Sequence, residues 1–89
     1  MEGEVSFLFL GEDTLVEKQV RALGITETNF SKVEFLPKSS DDHDIDDFLA
    51  ENIEVKIKRI DKDFVTFYCI APEGATGFYK FKYKIWQLD

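Results

Sequence analysis

The ten residues from Phe78 to Gln87 constrain this chain more than any other stretch. They read Phe78-Tyr79-Lys80-Phe81-Lys82-Tyr83-Lys84-Ile85-Trp86-Gln87, with bulky apolar residues and lysines alternating at a period of two. A strand is the structure that sends successive side chains to opposite faces. Tyr79, Phe81, Tyr83 and Ile85 therefore share one face, and Lys80, Lys82 and Lys84 share the other. A strand of this kind needs a sheet beside it and a second layer over its apolar face.

The segments before it extend the pattern. Ile53, Val55 and Ile57 alternate with Glu54, Lys56 and Lys58. Phe64 to Ala71 is a β-branched and aromatic run that stops at Pro72, with turn chemistry at Asp61-Lys62-Asp63 and at Glu73 to Gly77. The last third thus reads as an antiparallel meander. With its apolar sets in the core, Lys56, Lys58, Lys80, Lys82 and Lys84 line one exposed face. An odd-length turn at 61–63 buries Val65, Phe67 and Cys69 and adds Thr66 and Tyr68 to the lysine face. A two-residue turn does the reverse, because a one-residue slip exchanges the faces. The first arrangement buries the more apolar set and is the one expected.

The first half reads differently. Val5 to Leu10 is nearly all apolar and ends at Gly11, which suits a strand buried on both faces. Thr14-Leu15-Val16-Glu17 has the form of a capping box, with Asp13 adding charge at a helix N-terminus. Val16, Val20 and Leu23 then fall on one stripe and Gly24 stands as a stop, so the spacing predicts a helix here. Ser31 to Leu36 alternates and ends before Pro37, as a strand does. Lys38 to Asp44 is a polar loop, and Asp44 is the expected N-cap of a short helix through Ala50. The expected fold is one α+β domain with two layers. Its sheet is mixed and five-stranded in the order β-α-β-(α)-β-β-β, the first strands joined by a right-handed crossover and the helices on one face.

Chemistry-bearing motifs are few. One cysteine and one histidine exclude an internal disulfide and the usual zinc ligand sets. Cys69 stands mid-strand among aromatic and aliphatic residues, the setting of a buried, inert thiol. Asp42, Asp44 and Asp46 match three positions of a calcium loop, but Asp47 replaces its turn glycine and Ile53 its bidentate glutamate. That stretch reads as a solvated loop, and no metal is expected. Gly74-Ala75-Thr76-Gly77 is too short for a phosphate cradle. Neither an enzyme nor a cofactor is expected. The acidic start and the short apolar run after it do not make a signal peptide, and no stretch reaches the ~20 apolar residues of a membrane span. A cytoplasmic protein with no membrane partner is the expectation.

Charge supplies the functional expectation. Eleven Lys+Arg against eighteen Asp+Glu leave a net charge of -7. Residues 1–51 hold 13 acidic and 4 basic side chains, and residues 52–89 hold 5 and 7. Glu12, Asp13 and Glu17, with Asp41, Asp42, Asp44, Asp46 and Asp47, would give the first half a negative surface suited to a basic protein. A small non-catalytic binder of inhibitor, immunity or adaptor type fits this pattern, since opposite potentials speed association. The alternative is single-stranded RNA or DNA on a face made of Lys56, Lys58, Lys80, Lys82 and Lys84. There Tyr68, Phe78 and Trp86 would serve as stacking platforms. The sequence leaves the oligomeric state open.

Overall fold

The computed structural model describes residues 1–88. It contains four strands, β1 (Glu2–Arg21), β2 (Phe30–Lys38), β3 (Glu54–Asp61) and β4 (Phe64–Gln87), and one helix, α1 (Ile45–Ala50). All strand pairings are antiparallel, and β4 is the partner of each of the other three. The expected mixed five-stranded sheet with helices on one face is therefore wrong, and so is the C-terminal meander, because Phe64–Gln87 runs as one bent strand through the turn expected at Glu73–Gly77. The fold is mostly β.

The long strands bend. A straight strand of 24 residues would span about 80 Å at ~3.3 Å per residue, whereas the longest dimension is 39 Å. The β1–β4 ladder breaks between Phe9 and Leu15, and Gly74 and Gly77 of β4 take φ of +84° and +89° at the same level. On one side of the bend, Phe78–Gln87 of β4 lies between β1 (Glu2–Phe9) and β2. On the other side, Phe64–Ile70 of β4 lies between β1 (Leu15–Arg21) and β3. The two half-sheets face each other through an aromatic core. Phe67 meets Phe35 at 5.0 Å and Tyr83 at 5.4 Å, ring centre to ring centre, while Phe48 of α1 packs edge-on against Tyr79 and Phe81.

The C-terminal alternation survives intact, with Tyr79, Phe81, Tyr83 and Ile85 buried. Val65, Phe67 and Cys69 are buried too, as expected, but by a different route. The turn holds two residues, since Asp61 pairs with Phe64, and a bulge at Lys58 shifts the register of β3 so that Ile57 and Ile60 both face in. An extra residue in one strand restores the parity that the short turn would have reversed.

The predicted first helix is a strand. Val16 and Val20 pair with Cys69 and Val65, and Thr14 is exposed in the bend rather than capping anything. A spacing of four fits a helical stripe and one face of a strand equally well, and Lys18 between the valines hides the alternation. The short helix forms where expected. The Asp44 N–H donates to Asp47 Oδ2 at 3.1 Å. At the other end the Asn52 and Ile53 N–H groups bond the carbonyls of Leu49 and Phe48. Asn52 holds the left-handed conformation that such a stop requires (φ 53°).

Candidate functional site

The acidic loop after β2 is built as a replacement for a missing strand. β2 ends at Lys38, opposite Lys80, so the β4 backbone at Phe78 and Thr76 has no ladder partner there. Side chains supply the bonds. Ser40 Oγ donates to the Phe78 carbonyl at 2.8 Å, and the Phe78 N–H donates to Asp42 Oδ2 at 2.8 Å. His43 Nε2 donates to the Thr76 carbonyl at 2.6 Å, while Nδ1 lies 3.1 Å from Asp47 Oδ2. The imidazole also stacks on Tyr79, with centroids 4.0 Å apart. Gly77 makes room for this seam, because a Cβ there would stand 2.9 Å from that of Asp42.

Around the seam, acids from several segments meet. Glu12 from the bend of β1, Glu73 from the bend of β4 and Glu51 at the end of α1 line one shallow cleft of about 230 Å³ with His43 and Tyr79. Burial, with Glu51 and Asp47 nearby, pushes the Tyr79 phenol up to about 12, so it stays a neutral hydroxyl there. A neighbouring cleft of about 450 Å³ lies along Ser39, Asp41, Asp42, Phe78 and Lys80. Asp13 sits beside Glu12 and accepts the Leu10 N–H at 2.9 Å.

The eight acids singled out in the sequence therefore divide by job. Asp13, Asp42, Asp44 and Asp47 take part in the local framework of the bend, the loop and the helix cap. Glu12, Asp41 and Asp46 are exposed. Glu17 does not belong with them, for it sits in the far half of β1 and pairs with Lys58. Glu51 and Glu73 belong to the surface although the sequence reading passed over them. They are far from Glu12 in the chain, and only the double bend of β1 and β4 brings them to it.

The lysines do not form one face. Lys80, Lys82 and Lys84 stand on the outer side of one half-sheet, and Lys56 and Lys58 belong to the other. Glu2, Glu4 and Glu34 flank the first set. Lys38 reaches Glu4 at 2.6 Å, and Lys84 stands 3.9 Å from Glu2. The Lys38 ammonium holds the Glu4 carboxyl below its ordinary range. Lys32 and Lys84 lie over the Trp86 ring, 4.3 and 4.8 Å from its centre. Tyr68 is on the half-sheet of Lys56, where their backbones pair, and Thr66 is buried. Phe78 is exposed beside the acidic loop.

Among the described residues, no three His, Cys, Asp or Glu side chains come together as a metal site would require, and no helix is long and apolar enough to cross a membrane. Cys69 is fully buried, and burial alone pushes its thiol up to about 12. No family model, curated protein or solved structure matches this chain.

Proposed function

We propose that this chain is a non-catalytic binding protein that docks a basic macromolecular partner through the acidic surface at its bend. One observation carries the reading: Glu12, Glu51 and Glu73, distant in sequence, line the same cleft beside the acidic loop. Concentrated negative charge raises the encounter rate with a cationic partner and disfavours anionic ones. Exposed Phe78, beside Asp41 in the adjoining cleft, adds apolar area of the kind that anchors protein interfaces. The oligonucleotide reading draws less support, because its lysines divide between two half-sheets and Trp86 is covered by cations from its own sheet.

The test is affinity capture from cell extract with wild-type protein and with Glu12→Lys, Asp41→Lys, Asp46→Lys and Glu73→Lys combined. These positions are exposed, so the fold should tolerate the change. A basic protein held by the wild type at low salt should be lost with the variant, and also at high salt, where charges beyond a Debye length of about 3 Å are screened. Undiminished capture by the variant would sink the proposal.

A further inference from the structure

The ladder parity of β1 fixes which backbone groups face outward. Met1 and Ile85 exchange both hydrogen bonds, N–H to carbonyl in each direction. In an antiparallel ladder such bonded pairs recur at every second residue. Gly3, Val5, Phe7 and Phe9 therefore point their N–H and C=O groups at β4, and Glu2, Glu4, Ser6 and Leu8 point theirs away from it. The bonds of Phe78 to Ser40 and Asp42 agree, since they show that Phe78, opposite Leu8, faces away from β1. Among the described residues, no hydrogen bond from any other segment reaches those outward groups of β1.

The two edges of this half-sheet are guarded unequally. On β2 the outward groups fall at Val33, Phe35 and Pro37, and Pro37 has no N–H to offer; Lys32 and Lys38 add charge along that strand. Proline and lysine on an edge are what discourage pairing by a further strand. Between Glu2 and Leu10, β1 carries neither. Its outer-face side chains are Glu2, Glu4, Ser6 and Leu8, two acids followed by a small polar and an apolar residue.

We propose that this edge of β1 receives a strand from the basic partner, extending the sheet by one antiparallel strand. The proposal rests on the docking function above and specifies its mode. Charge complementarity selects the occupant. Lys84 and Lys38 approach Glu2 and Glu4 from within the sheet, yet the two glutamate side chains stay 56% and 50% exposed. Cationic side chains of an added strand therefore meet them from the open side, with small or apolar ones opposite Ser6 and Leu8. A second copy is disfavoured by the net charge of -7 on each chain.

Amide hydrogen exchange, read by NMR, tests the proposal on the wild-type protein. The probe is a short synthetic peptide whose alternate positions are valine, threonine, lysine and lysine, spaced by threonines. In the free protein the Glu4, Ser6 and Leu8 amides should exchange fast, and saturating peptide should slow them about tenfold or more. The same peptide N-methylated at its bonding amides should give no protection. Ser6→Pro, which removes an outward N–H and leaves the β4 bonds in place, should abolish binding while the fold persists. Peptide binding without protection of these amides, with shifts confined to Glu12, Asp41 and Glu73, would overturn strand addition and leave the acidic-surface reading standing. Protection at the edge that persists in the bend variant, together with unchanged partner capture by that variant, would do the opposite. No binding of the peptide at low salt would also overturn the strand proposal.

Discussion

Asp42 shows how a residue chosen for its charge turns out to have a place in the fold. Its carboxylate holds the Phe78 N–H, and its Cβ lies over Gly77. Gly77→Ala meets two penalties, the left-handed backbone and the 2.9 Å approach to Asp42, and should cost about 1–2 kcal/mol from the backbone alone. A denaturation midpoint equal to that of the wild type would show that the loop does not seat there. Asp42→Asn keeps an acceptor for Phe78 and should be milder than Asp42→Ala. Asp63 is a comparable point. It has φ of 67°, and its backbone and carboxylate bond Ala22, Ile25 and Gly24. Cys69 should resist thiol reagents in the native protein, because it is fully buried and its thiol is held far from ionisation. Rapid labelling of the folded chain would contradict that placement.

At the level of elements, the sequence was legible where one face is apolar without interruption. The final strand, the buried set Val65, Phe67 and Cys69, and the short helix capped at Asp44 all follow from local pattern. Residues 13–24 misled because Val16 and Val20 are four apart, a spacing that strands and helices share, and because a capping-box pattern can occur outside a helix. Leu23, which extended the stripe, lies exposed beyond the end of β1. Pairing with Phe64–Ile70 overrides local preference there. Lys18 offers a direct check. It pairs with Phe67 and shares a face with Val16 and Val20 but is itself exposed. Lys18→Val should therefore extend the apolar row at the rim of the core and, by strand preference, stabilise the fold by up to about 1 kcal/mol. On a helix a β-branched residue at this position would bring no gain. The acidic site was legible only in part. Local runs of aspartate can be read directly, whereas the meeting of Glu12, Glu51 and Glu73 depends on two bends whose partners lie some sixty residues apart.

For the whole molecule, two electrostatic consequences stand apart. The first is alkaline sensitivity. Burial raises the Cys69 thiol from 9.0 to about 12 and the Tyr79 phenol from 10.0 to about 12, and it raises Tyr83 as well. These are acids whose neutral form the fold favours. The unfolded chain releases their protons first as pH rises, so their contribution is whole below about pH 9 and declines through the range up to 12. Melting temperature should fall across that range, and Cys69→Ala should lose the part that begins earliest.

The second is the division of charge between the acidic bend and the lysine stripe, on which the functional account depends. The most direct measurement is the association rate of a captured basic partner, followed across ionic strength. Wild-type protein should bind fast and slow steeply with salt. The combined reversal at Glu12, Asp41, Asp46 and Glu73 should bind slowly, with little salt dependence, while Lys80→Glu, Lys82→Glu and Lys84→Glu together should leave the wild-type behaviour in place. If the lysine reversal abolishes binding and the bend reversal does not, the acidic surface is not where this protein meets its partner.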